Sequence, residues 1–219
     1  MFTIRPYQPT DKAAWLDCRA LAYQHSQFID QIAATRETYS PEADGYAHTV
    51  QLVAIRDQQL VGLIDAGVFT PERSAHDLYV ADRGCGSYIE VFAVAPTAQN
   101  QGIGRALLNA CCAQLQQLGA DYCEIFTRSD PAANRLYQAL GAREIAHSWR
   151  VLGTRRDAPI PAQHWQLDPD TQELTVTVAG QAVGYRAEQP QWFTVFNEPA
   201  LADFNAEAAY VERTYLLNL

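Results

Sequence analysis

The segment from Tyr88 to Val151 constrains the fold of this chain more than any other part of its sequence. Short apolar runs of strand length alternate there with longer runs whose apolar residues recur at helical spacing. The predicted elements are a strand over Tyr88–Ala95, a helix over Gly102–Leu118, a strand over Tyr122–Thr127, a helix from Pro131 to Gly141 and a strand over Ala142–Val151. Because paired strands that are joined through a helix require a parallel crossover, the segment predicts a mixed sheet with helices packed on it.

The rest of the chain adds elements to the same domain. The pattern predicts a strand over Phe2–Arg5, a helix starting at Thr10 or Asp11, a second helix over Phe28–Tyr39, a hairpin of Val50–Arg56 with Gln59–Phe69, a loop over residues 70–87, a small hairpin of Glu173–Val178 with Ala182–Arg186, and a final strand over Tyr210–Leu217. We therefore expect one domain over residues 1–219, with residues 155–208 inserted before the last strand.

The composition disfavours several classes of partner. The chain carries 16 Lys and Arg against 25 Asp and Glu, a net charge of −9, which argues against a nucleic-acid backbone as the main partner. It has no apolar run of the roughly 18 residues that a membrane span needs, and no secretory leader pattern. Its five cysteines show no CxxC spacing. These observations predict a cytoplasmic protein with no membrane partner, no disulfide framework and no metal.

A glycine-containing loop joins the strand over Tyr88–Ala95 to the helix that follows. Gly102 and Gly104 permit a positive φ or a close approach to a ligand, so that successive backbone N–H groups can converge on an anion. The loop opens a helix, whose N-terminus favours phosphate, and Arg105 adds a full positive charge. Leu107 stands where a dinucleotide-binding motif has its third glycine, and the Lys-Ser/Thr pair of a P-loop is missing. Taken alone, the loop also fits an ordinary tight turn.

The spacing of this loop resembles the Q/R-x-x-G-x-G/A signature of the GNAT superfamily of N-acetyltransferases. The signature residues are Gln99, Gly102 and Gly104, and the resemblance extends upstream to the strand end at Phe92–Pro96. Downstream, the run from Asn134 to Arg143 is similar to the second half-motif of the family.

The resemblance covers residues 1–153 at the level of the fold and residues 88–145 at the level of motifs. It implies an α/β (α+β) domain with a mixed, mostly antiparallel central sheet and helices on both faces. The sheet would splay around the CoA site, between the strands at 88–95 and 122–127. A C-terminal insertion containing a β-hairpin would follow.

The resemblance also implies the donor, which is acetyl-CoA or another short acyl-CoA acting as co-substrate. By this analogy the loop backbone holds the pyrophosphate, the strand end pairs with the pantetheine arm, and Arg128 and Arg135 are candidates for the outer phosphates. Asn134 would bond the pantetheine, although a solvent-facing Asx-type helix residue is the alternative interpretation. The predicted cofactor-binding residues are Phe92, Ala93, Val94, Gln99, Asn100, Gln101, Gly102, Ile103, Gly104, Arg105 and Asn134.

Tyr137 is the predicted general acid and Glu90 the predicted general base. Attack of an amine on a thioester leaves a thiolate that a phenol can protonate, and the family commonly has tyrosine at this position. Glu90 shares its strand parity with Tyr88 and Phe92, and a carboxylate in such an apolar strand is costly unless it is paired or used. Tyr137 could instead be a core tyrosine and Glu90 a salt-bridge partner of an arginine. Glu124, on the next strand, is a second candidate base.

The predicted function is transfer of an acetyl group from acetyl-CoA to a primary amine by direct attack in a ternary complex. Residues 101–150 carry 5 basic and 4 acidic side chains, residues 1–100 carry 7 and 12, and residues 151–219 carry 4 and 9. This distribution favours an anionic donor bound locally and a small cationic acceptor, although chance explains it equally well. The aromatic residues expected to cover the acceptor, as a hydrophobic lid or an amine-binding face, are Trp15, Tyr23, Phe28, Tyr39 and Tyr46.

Two other functions stay open on the sequence. One is acetylation of a protein N-terminus or lysine, and the other is a non-catalytic acyl-CoA-binding sensor. The aromatic residues of the C-terminal insertion must pack on the core or on a partner, and a homodimer formed by strand exchange at the last strand is one such arrangement.

Overall fold

A computed structural model describes residues 1–28, 31–75, 80, 83–156, 163–168, 174–189 and 192–219 of the chain. Within these residues the strands are β1 (Phe2–Pro6), β2 (Tyr46–Arg56), β3 (Gln59–Phe69), β4 (Gly86–Val94), β5 (Tyr122–Thr127), β6 (Arg143–Arg155), β7 (Gln163–Leu167), β8 (Leu174–Val178), β9 (Gln181–Ala182), β10 (Tyr185–Gln189), β11 (Trp192–Val195) and β12 (Phe204–Asn218). The α-helices are α1 (Lys12–Tyr23), α2 (Pro41–Asp44), α3 (Pro71–Ala75), α4 (Ile103–Gln117) and α5 (Pro131–Ala139). None of the helices in this described part is both long and apolar enough to cross a membrane.

The main sheet has nine strands in the order β1-β2-β3-β4-β5-β12-β6-β11-β10. Strands β4 and β5 are parallel, and the other neighbours are antiparallel. β4 and β5 pair over Gly86–Tyr88 and Tyr122–Glu124. They then separate, because β4 follows β3 as far as Val94 while β5 follows β12 as far as Thr127. The predicted mixed, mostly antiparallel sheet with a splay between these two strands is confirmed.

Helices α1 and α4 cover opposite faces of β3. A Cβ added to Gly62 of β3 would lie 2.9 Å from Leu107 and 3.1 Å from Ile103, which places α4 on that face. Asp65 lies three residues further along the strand and therefore on the other face. There it pairs with an arginine that stacks on Trp15 of α1. The prediction of helices on both faces is confirmed.

The C-terminal part of the chain extends the main sheet and adds a second one. β11 and β10 continue the sheet beyond β6, whereas β7, β8 and β9 form a separate three-stranded sheet. The predicted hairpin exists as β8 and β9, with its first expected residue, Glu173, outside the described residues. The strand predicted over Ala182–Arg186 is divided, since β9 ends at Ala182 and β10 begins at Tyr185 in the other sheet. β12 is longer than predicted and lies between β5 and β6.

Two predictions for the first 90 residues of the chain are wrong. The described residues between 28 and 39 form no α-helix. They contain β-branched and aromatic side chains, which have lower helix propensity, and Arg36 among them forms an ion pair with Asp65 of β3. Residues 70–87 are not only a loop, because they contain α3 and the start of β4 at Gly86.

Candidate active site

The loop between β4 and α4 leaves backbone N–H groups available to a ligand. Gly102 is the N-cap of α4 with φ 80°, and a Cβ added there would meet no atom within 4 Å. Within the helix, the amide of Ala106 donates to the carbonyl of Gly102 at 3.0 Å. The N–H groups of Ile103, Gly104 and Arg105 come before this bond, in the first turn, where a helix binds anions. The geometry therefore fits the pyrophosphate of acetyl-CoA.

Two glutamine side chains fix the shape of this loop. Gln99 donates from Nε2 to the last carbonyl of β4 at 3.1 Å. Gln101 donates to the carbonyl of Thr97 at 3.1 Å and accepts from the guanidinium of Arg56 at 2.5 Å. Asn100, between them, has φ 58°, a left-handed conformation that asparagine tolerates better than most residues. The protein itself thus orients the loop, which lowers the cost of binding.

A cavity of about 670 Å³ lies where β4 and β5 separate. Besides helix and loop residues such as Tyr23 and Arg135, it is lined by most of the predicted site residues. Those that line it are Glu90, Phe92, Ala93, Val94, Gln99, Asn100, Gly102, Gly104, Arg105 and Tyr137. Gln101, Ile103 and Asn134 lie outside this lining; the side chain of Ile103 is in the core, so that only its backbone N–H is placed to contact a ligand.

A β-bulge in β4 contains Glu90. Asp65 of β3 pairs with Val91, and Ala66 pairs with Ile89, which leaves Glu90 without a partner on β3. A bulge of this kind redirects a side chain and often lies next to an active site. It places Glu90 beside Asp65, on the face covered by α1.

The bulge also overturns the predicted parity of the strand. Tyr88 pairs with Gly67 of β3, whereas Phe92 pairs with Ile64, which lies three residues before Gly67 on β3. Residues three apart point to opposite faces, so Tyr88 and Phe92 do not share a face as the alternation predicts. The lining of the cavity therefore comes from both sides of the sheet, and the cavity crosses the sheet through the gap beside β4.

Glu90 is held at the α1 side of this gap by Tyr46. The Tyr46 hydroxyl donates to Oε1 of Glu90 at 2.5 Å. Burial, and then the charge of Glu90, raise the pKa of Tyr46 and also that of Tyr88, so both phenols keep their protons at neutral pH. Within the described residues no ion pair joins Glu90 to an arginine, so the carboxylate is not held by the salt bridge offered as an alternative.

Tyr137 lies on α5 at the other side of the gap. Its side chain is buried, and its ring centroid lies 6.4 Å from that of Phe92 and 6.0 Å from that of Tyr215. Burial, followed by the nearby Tyr23, raises its pKa well above the ordinary value, so the phenol is neutral. Tyr137 packs in the core and also lines the cavity, and its role as general acid stays a prediction.

The side chain of Asn134 contacts protein groups rather than the cavity. Its amide donates to the carbonyls of Arg128 and Asp130 at 2.6 Å each, and its oxygen accepts from the hydroxyl of Tyr215 at 2.8 Å. These bonds hold the turn between β5 and α5. The predicted contact of Asn134 with pantetheine stays a prediction.

The sequence suggested that Arg128 contacts the outer phosphates, but its position in the structure does not allow this contact. Its side chain is buried between the rings of Phe28 and Tyr210, whose centroids lie 4.7 Å and 5.1 Å from its guanidinium carbon. Nε donates to Glu212 at 3.2 Å, and Nη1 donates to the carbonyl of Gln27. Arg128 therefore joins the segment that follows α1, at Gln27, to β12, at Glu212.

Several residues near the site were not identified from the sequence. Tyr88 lines the cavity, and the pair formed by Asp65 and Arg36 lies beside the bulge. Asp65 is a lone carboxylate within the apolar run of β3, and this is the signal that could have found it. Glu124 is buried and lies outside the cavity lining, next to Tyr88.

Comparison with family models matches residues 13–142 to the acetyltransferase (GNAT) family. This match covers more than half of the chain and includes β4, α4, β5 and α5. Comparison with curated proteins returns no relative.

Solved structures resemble the chain in fold. The GNAT-family acetyltransferase of Streptococcus pneumoniae has a TM-score of 0.56 at 13% identity, covering 100% of this chain and 100% of its own. NAA60 of Arabidopsis thaliana, solved with a bisubstrate analogue, has a TM-score of 0.54 at 14% identity, with 100% and 98% covered. The ribosomal-protein-S18-alanine N-acetyltransferase of Escherichia coli has a TM-score of 0.53 at 16% identity, with 100% and 94% covered. At such identities the likeness is one of fold alone.

Proposed function

Because the chain belongs to the GNAT family and is therefore an acetyl-CoA-dependent N-acetyltransferase, we propose that it acetylates the primary amine of a small cationic molecule. The observation that carries this proposal is the cavity through the sheet. Its α4 side has the amide groups of the Gly102 loop, which suit the phosphates of the donor. Its α1 side has a carboxylate, Glu90, among tyrosines, which suits an ammonium group.

The charges at the α1 side support a cationic acceptor. After burial, the charges of Glu90 and Glu124 are the largest causes that raise the pKa of Tyr88, so both carboxylates lie near its hydroxyl. Phe28 and Phe126 form a T-shaped pair, 6.3 Å between centroids, in the lining of the same cavity. Carboxylates with aromatic faces favour an amine that arrives protonated.

We assign the proton transfers to Glu90 and Tyr137. Glu90, directly or through a water, takes a proton from the ammonium group and frees its lone pair. The amine nitrogen attacks the thioester carbonyl, a C–N bond forms and the C–S bond breaks. Tyr137 gives its proton to the departing thiolate and regains one from the second amine proton through solvent, and Glu90 releases the first amine proton to solvent, so that one proton is released per turnover. None of the five cysteines lines the cavity among the described residues, and burial raises the pKa of each, which disfavours a thiolate nucleophile.

The test is thiol release from acetyl-CoA with a panel of acceptors. The panel contains diamines, amino sugars, amino acids and peptides with free N-termini or lysines. We expect the highest kcat/KM with a cationic non-peptide amine. Peptides are a real alternative, since the Escherichia coli neighbour acts on an alanine of a ribosomal protein, and a peptide preference would overturn the proposed acceptor. Binding of acetyl-CoA without amine-stimulated thiol release would favour the sensor instead.

The organisation of the chain is part of the same proposal. We propose a single catalytic domain over residues 1–219 with an insertion before the last strand. The insertion predicted over residues 155–208 is shorter at its end, because β12 already begins at Phe204. β10 and β11 from this insertion extend the main sheet beyond β6, which supports an insertion packed on the domain. A cytoplasmic location and a homodimer remain predictions from the sequence.

A further inference from the structure

A buried ion pair lies on the α1 face of the sheet, beside the bulge that contains Glu90. Nη2 of Arg36 is 2.6 Å from Oδ2 of Asp65, and the two side chains are 7% and 0% exposed. Asp65 pairs across the sheet with Val91, the residue that follows Glu90. The ion pair therefore lies next to Glu90, the candidate base, on the neighbouring strand.

The same arginine fastens the segment of residues 31–40 to the domain. Its guanidinium carbon lies 3.9 Å from the ring centroid of Tyr7 and 5.0 Å from that of Trp15. These residues form no α-helix and no strand, so a backbone ladder does not hold them in place. The ion pair and the stacked rings supply that attachment.

Contacts lead from this segment to Glu90. The ring of Tyr39 stands perpendicular to that of Tyr46, with 6.0 Å between centroids. Tyr46 in turn donates its hydroxyl hydrogen bond to Glu90. After burial, the charges of Asp65 and then Glu90 are the main causes that raise the pKa of Tyr39, so its hydroxyl lies near both carboxylates.

We propose that Arg36 and Asp65 form a positioning pair for the acceptor amine, holding residues 31–40 so that Tyr39 and Tyr46 fix Glu90 at the acceptor side of the cavity. The inference rests on the proposed function, because it assigns this side of the cavity to the amine. It gives neither residue a contact with the reacting atoms.

The energetics of the pair agree with a positioning role. Buried ion pairs contribute little net stability, because desolvation of both charges offsets their attraction. Burial raises the pKa of Asp65 to about 6, even though Arg36 acts in the opposite direction. The other groups that act on Asp65 are Trp15 and Arg19 of α1. A pair that does not strengthen the fold is more easily explained by what it holds in place.

The experiment compares Arg36→Gln with a matched control, Arg5→Gln. Arg5 also forms an ion pair, with Asp11 at 2.7 Å, but away from Glu90. We expect Arg36→Gln to raise the KM for the amine about tenfold or more while the KM for acetyl-CoA stays within about twofold. Arg36→Lys should recover part of the loss. Hydrogen exchange of the backbone over residues 31–46 should accelerate in Arg36→Gln and stay unchanged in Arg5→Gln.

A second variant keeps the test decisive if Arg36→Gln folds poorly. Tyr39 is half-buried on a non-helical segment, and Tyr39→Ala should reproduce the rise in KM for the amine. Equal changes in both KM values, or unchanged exchange over residues 31–46, would overturn the positioning role. If the wild type released no thiol with any amine, the proposed function would fail, and the exchange data would still decide whether the pair holds the segment.

Discussion

Replacing Gly102 with alanine should weaken acetyl-CoA binding by more than backbone strain explains. Gly102 has φ 80° and Gly119, at the far end of α4, has φ 92°. A Cβ at either position would meet no atom within 4 Å, so neither substitution creates a clash. Each forces an alanine into the left-handed region at roughly 1–2 kcal/mol. For a chain of this size, about 2–4 °C are lost per kcal/mol, so both variants should melt roughly 2–8 °C lower than the wild type.

The two variants differ only in what the new methyl group faces. Gly102 lines the cavity as the N-cap of α4, whereas Gly119 lies one residue beyond the C-cap, Leu118, and outside the lining. At 1.5 Å per residue, roughly 25 Å separate the two positions along the helix axis. In calorimetric titrations with acetyl-CoA, Gly102→Ala should raise Kd at least about tenfold, or roughly 1.4 kcal/mol, and Gly119→Ala should leave it within about twofold. If Kd rises equally in both variants, or in neither, the loop does not hold the phosphates.

Three further outcomes follow from the geometry of the site. Tyr137→Phe should lower kcat by about 10²- to 10⁴-fold with little change in the Kd for acetyl-CoA, and an unchanged kcat would remove it as the general acid. Glu90→Gln should lower kcat/KM for the amine by about 10²- to 10⁴-fold and leave the Kd for acetyl-CoA within about twofold, measured as amine-dependent thiol release; an unchanged kcat/KM would contradict the base assignment. Because burial raises the pKa of Asp65 from 3.8 to about 6, the folded protein retains a proton that the unfolded chain has released, and the free energy of unfolding should fall by up to about 3 kcal/mol as pH rises from about 4 to about 7. In denaturant titrations at each pH, Asp65→Asn should lack this fall in the free energy of unfolding. If the free energies of unfolding of the two proteins differ by the same amount at every pH, the assignment to Asp65 is wrong.

The elements around the loop could be predicted because their signals are local. The strand that ends before Pro96, the glycine at the start of α4 and the Asp130 cap of α5 each specify a boundary through neighbouring residues. Asp57 and Gln58, with φ 49° and 63°, form the tight turn that the hairpin prediction required.

Features that depend on distant parts of the chain could not be read in this way. The bulge at Glu90 exists only in the register of β4 against β3, so alternation along β4 alone assigned Phe92 to the wrong face. Arg128 was assigned to phosphate by its position in the sequence, but Phe28 and Glu212, both remote in the chain, bury it. The described residues between 28 and 39 form no α-helix because the ion pair of Arg36 with the sheet outweighs a weak helical pattern.

Ionisation of Asp65 has opposite effects on the stability of the fold and on acceptor binding. Its ionised form is unfavourable in the folded protein, since burial raises its pKa, yet only that form pairs with the Arg36 guanidinium. A neutral residue at position 65 would avoid the desolvation of a carboxylate but would leave Arg36 buried without a counter-charge, and residues 31–40 without their attachment to β3. The pair therefore makes sense as a means of ordering a non-helical segment beside Glu90, where a shift of about 1 Å in a catalytic group can cost a hundredfold in rate. On this reasoning, acidification through about pH 6 should strengthen the fold while it loosens the acceptor side of the cavity.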